Sequence, residues 1–380
     1  MNQRSYLDYN ATAPLRPEVH EAIEAALALY GNPSSVHAEG RAARAVVETA
    51  RGSVAELVGA RPEDVIFTSG GTEANALALA TQPGAAWHCY MSAVEHPSVL
   101  AGGRFYPETT TRIPVTPDGV IDLRILGKEL EKHHLGGWRP FVSLMAANNE
   151  TGAVQPVAEA AKIVHNANGL MHTDAVQAAG RLKLDMAALG ADMLSLSGHK
   201  IGGPKGVGAL VLREGAGVEP LLKGGSQERR RRSGTENVAG IAGFGVAAEL
   251  ARAELAKAGA MAALRDELER GALSIAPNAV VLSAAVERLP NTSCIAVPGV
   301  KAETLVIGLD LAGVAVSSGS ACSSGKVEAS HVLSAMSVPE EVAQGAIRVS
   351  LGFTTKRDDI ENFLKAFAEL MARLKARAAA

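Results

Sequence analysis

The sequence predicts an α/β protein: a large domain on a mostly parallel sheet flanked by helices, and a smaller α+β domain towards the carboxyl end. Three observations carry that reading. At 380 residues the chain exceeds the size at which single hydrophobic cores stop growing, so two domains are expected. Short apolar runs alternate with stretches of helical periodicity over most of the length, as parallel strands joined by crossover helices require. After a long helical stretch the character changes to strands interleaved with helices.

The loop Gly31-Asn32-Pro33-Ser34-Ser35 separates a first helix from a second over residues 38–58. Residues 64–68 read as a strand, because Val65, Ile66, Phe67 and Thr68 are β-branched or aromatic. Helix 72–80 follows a pair of glycines. Strand 85–91, helix 122–134, strand 141–146 and helix 157–167 continue the alternation, and strands 170–173, 192–196 and 208–212 complete the first apolar set. A long helical pattern over about 236–271, with glycines expected to kink it, joins the domains in place of a flexible tether. Strands 280–282, 292–297, 314–316 and 347–351 follow, and the charged helix 356–375 closes the small domain. The sequence contains no internal repeat and no low-complexity tract.

The hydrophobic fraction of 47% and charged fraction of 20% are those of an ordinary soluble globular protein. A formal net charge of −3 gives no reason to expect nucleic acid or an anionic membrane as partner. Residues 1–8 lack an apolar core of signal-peptide length, and polar residues interrupt every apolar run before it could span a membrane. The cytoplasm is the expected compartment. Three cysteines cannot all pair within one chain, none forms a C-x-x-C clip, and no metal site is expected. Cys89 and Cys294 sit in strand-like runs, where a buried inert thiol is usual. Cys322 differs: Ser317-Ser318-Gly319-Ser320-Ala321-Cys322-Ser323-Ser324-Gly325 offers nothing to bury it, and an exposed thiol is a liability unless it is used.

Chemistry concentrates where strands are expected to end. Lys200 follows an apolar strand in Ser197-Gly198-His199-Lys200, and Asp174 ends another in His172-Thr173-Asp174. A lysine and an acid on neighbouring strand ends suit pyridoxal phosphate (PLP): the lysine forms an imine with the cofactor aldehyde, and the carboxylate pairs with the pyridinium nitrogen. The alternative is a surface lysine in a loop. Gly70-Gly71-Thr72-Glu73 opens a helix after a strand, so its N–H groups make a phosphate site, unless Thr72 merely caps the helix. Ser197 and His199 flank the lysine turn, placed to donate to that phosphate or to serve as satisfied structural groups. His96 either stacks on a flat ring and exchanges protons, or begins a helix with no chemical role. Asn148-Asn149-Glu150 reaches the same sheet edge, where open α/β sheets bind ligands. Arg348, in an apolar strand, needs an anionic partner: an internal carboxylate or a substrate carboxylate. The run Arg229-Arg230-Arg231-Arg232 reads as a solvated loop.

Together these segments resemble the cysteine desulfurases of the NifS/IscS-like group, within the class V aminotransferase family of fold type I PLP enzymes. The matching pieces include Tyr6-Leu7-Asp8-Tyr9-Asn10-Ala11-Thr12, Gly70-Gly71-Thr72-Glu73, Glu95-His96, Asn148-Asn149-Glu150-Thr151-Gly152 and Asp174-Ala175-Val176-Gln177. The Ser-Gly-His-Lys turn, Arg232-Ser233-Gly234-Thr235-Glu236-Asn237 and Ser318-Gly319-Ser320-Ala321-Cys322 complete the series, in family order over nearly the whole chain. The resemblance implies a large PLP-binding domain over 14–260 and a small domain from 1–13 and 261–380 that carries the cysteine loop.

It also implies roles. Lys200 would bond the cofactor aldehyde, Asp174 the ring nitrogen and Gln177 the phenolic oxygen, with His96 stacked on the ring. Gly71, Thr72, Ser197 and His199 would hold the phosphate, joined by Thr235 from the other subunit of a homodimer. Asn149 and Arg348 would bind the substrate carboxylate. Cys322, with His96 a candidate base, would take sulfur from L-cysteine, leaving L-alanine and a persulfide for an acceptor such as an iron–sulfur scaffold protein. A selenocysteine lyase or another class V aminotransferase-type enzyme would share the lysine–aspartate pair. Ala13, where many relatives have threonine, and the four arginines depart from the family pattern.

Overall fold

The structure, a computed structural model, describes residues 4–80, 86–134, 137–318 and 330–378. Seven strands form the larger sheet, in the order Val65–Thr68, Gly208–Leu212, Met193–Ser197, Leu170–Asp174, Arg139–Ser143, Trp87–Ser92 and Thr110–Ile113. Gly208–Leu212 alone runs antiparallel to its neighbours. It follows Met193–Ser197 after a short glycine-rich turn, too brief for the crossover that a parallel neighbour needs. The other six strands therefore end at one edge. Both faces are covered, because alternate side chains point opposite ways. On Gly208–Leu212, Ala209 and Val211 join Val54, Val164 and Phe244 on one face, while Leu210 and Leu212 join Leu77 and Phe141 on the other.

The edge strand Thr110–Ile113 was not among the expected strands; only Ile113 of its four residues is buried, so its apolar signal is weak. Strand 141–146 ends earlier than expected, at Ser143, yet Leu144 and Ala146 still donate to His172 and Asp174 carbonyls at 3.0 and 2.8 Å. Pairing thus continues to the edge of the sheet.

The smaller sheet is antiparallel, ordered Ser317–Ser318, Ala346–Ser350, Thr292–Ala296 and Val280–Val281. Ile295, Ile347 and Val349 pack on Phe363 and Phe367 of helix Arg357–Ala378. Its other face puts Cys294, Ala296 and Ala346 against Val94 and Met145, which lie just beyond ends of the large-sheet strands. The small sheet therefore roofs the edge where those strands end. Ser5–Tyr6 pairs with Val314–Ala315 and Asp8 bridges to Ser350, before Asn10 and Ala11 cross towards the same edge.

The helical stretch 236–271 is two helices, Val238–Glu254 and Ala258–Ile275, separated by the 3-10 turn Leu255–Lys257. Its glycines do not make the break. A Cβ on Gly245 would lie 2.6 Å from Ala50 Cβ, and one on Gly243 2.8 Å from Ile23 Cγ1, so these glycines allow close helix packing. The break falls where the chain leaves one core, at Ala251, for the other, at Leu268.

The arginine run is more than a solvated loop. Glu228, Arg229 and Arg230 are consecutive left-handed residues with φ of 44°, 55° and 65°. The Glu228 carboxylate pins this turn by accepting from Arg51 Nη1 and Nη2 at 2.7 and 3.0 Å and from Phe67 N at 3.0 Å. Arg230 is exposed and carries a Cβ penalty that glycine avoids. Arg230→Gly is expected to stabilise the fold by about 0.5–1 kcal/mol, net of the added chain entropy of glycine. Urea unfolding checks this, and an unchanged or lower midpoint would refute the strain argument.

Candidate active site

A cavity of about 370 Å³ opens beneath the small sheet. Thr72, His96, Asn149, Asp174 and Lys200, each from a different strand end, all line it, with Arg348 entering from strand Ala346–Ser350. Gln177, Gly71, Ser197 and His199 complete the set of expected residues found there.

Lys200 ends a 3-10 turn directly after strand Met193–Ser197. Its Nζ donates to the carbonyls of Asn10 and Ala11 at 2.6 and 2.8 Å, so the chain start orients it. Asp174 is 6% exposed; its Oδ1 accepts from Val176 N at 3.0 Å and its Oδ2 from Asn75 Nδ2 at 2.7 Å. Asn75, which sequence reasoning passed over, also donates to Ser98 Oγ at 2.9 Å. Its one signal was a polar residue on the inward face of a short helix.

This network sets the state of His96. Ser98 N donates to His96 Nδ1 at 3.1 Å, so that nitrogen is bare, and the Ser98 hydroxyl, 2.7 Å away, donates to it as well while its oxygen accepts from Asn75. The ring proton of neutral His96 therefore sits on Nε2. Burial holds the imidazole pKa below its ordinary value, helped by the Lys200 charge against the opposing pull of Asp174. His96 offers the cavity an N–H, whereas a base for a thiol would need a bare nitrogen there. It is also the N-cap of helix Pro97–Leu100, which bears out the structural reading of this residue.

Helix Gly71–Ala78 starts at the cavity with Gly70 as N-cap and no capping side chain, which removes the reading of Thr72 as a cap. A Cβ on Gly71 would meet Val176 Cγ2 at 3.0 Å and Ser197 Cβ at 3.4 Å, so glycine lets the helix end approach the Asp174 and Lys200 strands. His199 Nδ1 pairs with Thr12 Oγ1 at 3.2 Å, and burial with nearby Lys200 and Lys205 lowers its pKa to about 4. It is neutral at pH 7. Gln177 Nε2 donates to the Asn10 carbonyl at 3.0 Å.

Arg348 has the internal carboxylate partner that was one of its two expected readings. Nη2 pairs with Asp8 at 2.8 Å and Nη1 donates to the Asn149 carbonyl at 3.1 Å, while the buried Nε has no partner. Glu150 is buried beside it, accepting from Ser330 Oγ at 2.6 Å; burial raises its pKa to about 7 against the lowering effects of Ser330 and Arg348.

Thr235 is exposed and does not line this cavity. Cys322 lies outside the described residues. Cys89 and Cys294 are fully buried; burial raises both thiol pKa values, that of Cys294 to about 12, which makes them inert at neutral pH. Among the described residues no cluster of three His, Cys, Asp or Glu could hold a metal, and no helix is long and apolar enough to cross a membrane.

The model of the class-V aminotransferase family matches residues 5–363. The chain belongs to that family. It is 46% identical to a cysteine desulfurase of Cereibacter sphaeroides, over 98% of this chain and 97% of that protein. It is 42% identical to the cysteine desulfurase IscS of Dictyoglomus turgidum, over 99% and 96%. The crystal structure of a NifS-like protein from Rickettsia africae superposes with a TM-score of 0.89 at 37% identity, covering 97% of this chain and all of that one. The fold is thus that of the fold type I PLP enzymes, and PLP is the family's cofactor. The donor set of this cavity fits it: an uncapped helix end for the phosphate, a two-donor-held carboxylate for the ring nitrogen and a lysine lining the same cavity.

Proposed function

We propose that this family member removes sulfur from L-cysteine and leaves it as a persulfide on Cys322. The substrate C–S bond breaks, an S–S bond forms on Cys322, and a proton replaces sulfur on the substrate carbon, giving L-alanine with no external oxidant. The observation that carries this reading is the juxtaposition of Lys200 and Asp174 with Arg348 across one cavity, in a chain whose relatives are named cysteine desulfurases.

Bound PLP would draw electrons from the substrate α-carbon. Lys200 holds the cofactor and moves the α-proton, and Asp174 holds the proton of the ring nitrogen. Gln177 would meet the phenolic oxygen and His96 would stack on the ring, with its Nε2–H available as a donor. The phosphate is held by Gly71, Thr72, Ser197 and His199, with Thr235 supplied by the second copy of a homodimer. Arg348 and Asn149 orient the substrate carboxylate; both line the cavity, and the Asn149 carbonyl accepts from Arg348 Nη1, which holds the two side by side. The large domain spans 14–260, and residues 1–13 and 261–380 form the small one. Sulfur then passes to an acceptor protein such as an iron–sulfur scaffold, in the cytoplasm.

The test adds L-cysteine and a reductant to cofactor-loaded wild type and Cys322→Ser, measuring sulfide and alanine. Wild type is expected to release both; the variant should keep its cofactor absorbance and lose most sulfide release. Equal release from the two proteins would remove Cys322 from the reaction.

A further inference from the structure

The turn after strand Leu170–Asp174 carries a charge that the reaction above does not use. Gly180 has φ of 71°, and a Cβ there would lie 2.8 Å from Ala251 Cβ, so only glycine turns the chain back to bring Arg181 under the cavity wall. Arg181 Nη1 donates to Gln177 Oε1 at 2.5 Å and to the Gln177 carbonyl at 2.7 Å. Its Nη2 lies 3.5 Å from the carbonyls of Tyr9 and Lys200. A guanidinium has donors only, so the amide oxygen of Gln177 must face it. The amide nitrogen is thereby turned to the Asn10 carbonyl, which also accepts from Lys200 Nζ at 2.6 Å.

Arg181 forms no ion pair with a carboxylate among the described residues. The charges around it are Arg348, which repels it, and, across a neighbouring cavity of about 210 Å³, Lys200, Lys257 and Glu254. Glu254 is engaged elsewhere, because Arg16 takes both its oxygens at 2.8 and 2.6 Å. Burial lowers the Arg181 pKa to about 10, which still leaves it charged at neutral pH. A cation kept inside a protein without an internal acid is costly unless an anion arrives.

Resting on the cofactor reading above, we propose that Arg181 is a positioning residue that fixes the Gln177 amide with its NH₂ towards the cavity and supplies the counter-charge for an anionic phenolic oxygen. A cation and an N–H donor there both disfavour a proton on the nitrogen that links Lys200 to the cofactor. Removing them raises the pH at which that nitrogen loses its proton.

The experiment loads wild type, Arg181→Lys, Arg181→Gln and Gln177→Glu with PLP and follows the absorbance of the bound cofactor against pH. Arg181→Gln is expected to raise the apparent pKa by about one unit, and Arg181→Lys to restore most of the shift. Gln177→Glu keeps Arg181 satisfied but turns an acceptor to the cavity, so its pKa rises as well. Unchanged titration in Arg181→Gln overturns the proposal. If that variant does not fold, unchanged titration in Gln177→Glu does so. A wild type that acquires no cofactor absorbance instead overturns the cofactor reading, and this inference with it.

Discussion

Lys200→Ala is expected to lose about 10⁴-fold in kcat for L-cysteine while keeping its fold. The size follows from the two duties assigned to one amine, anchoring the cofactor and moving the α-proton; proton transfer by a positioned side chain alone contributes about 10²–10⁴-fold. The fold should survive because Lys200 is only half-buried at the cavity, and the Asn10 and Ala11 carbonyls that accept from its ammonium can turn to water there. Lys200→Arg should fail equally, since a guanidinium keeps the charge but not a nucleophilic amine. Sulfide and alanine assays measure the loss, and dialysis should strip cofactor from either variant but not from wild type. Wild-type turnover by Lys200→Ala would end the proposed chemistry.

Asp174→Asn is expected to lower kcat by about 10³-fold, the order seen when a positioned charge partner is removed. The substitution is nearly isosteric, and its amide oxygen can still accept from Val176 N. It removes the charge, and it sets an NH₂ against the Asn75 amide, which would have to turn over. Turning Asn75 presents its oxygen to Ser98 and disturbs the His96 tautomer, so the cofactor absorbance should change along with the rate. Near-normal kcat with an unaltered spectrum would show that this carboxylate serves the fold alone.

Much of the site was legible because its residues follow strands. An apolar run that stops at a polar or glycine-rich turn marks a strand end, and Thr72, His96, Asn149, Asp174 and Lys200 each carry that local mark. Arg348 was legible for a different reason, as a charge in an apolar strand. Asn75, Ser98 and Arg181 carry no such mark: each is an ordinary polar residue in a helix or turn until its partner is known. The glycines of Val238–Glu254 misled for the same reason, since a kink and a close helix contact look alike in one dimension. Ala50 and Ile23, which demand those glycines, are far away in the chain.

The sequence by itself determined most of the order of strands and helices, the family, and which side chains stand at strand ends. Those are consequences of local periodicity and of residue type. The tertiary structure decided what state those side chains are in. His96 meets Ser98 within the helix it caps, but Asn75 of a separate helix holds that Ser98 hydroxyl from its other side; Gln177 gives its nitrogen to Asn10, from the distant start of the chain, while Arg181 holds its oxygen; Arg348 keeps one nitrogen unpartnered among the described residues after Asp8 is satisfied. Hydrogen-bond direction and desolvation depend on neighbours brought together by packing, and no local pattern encodes them.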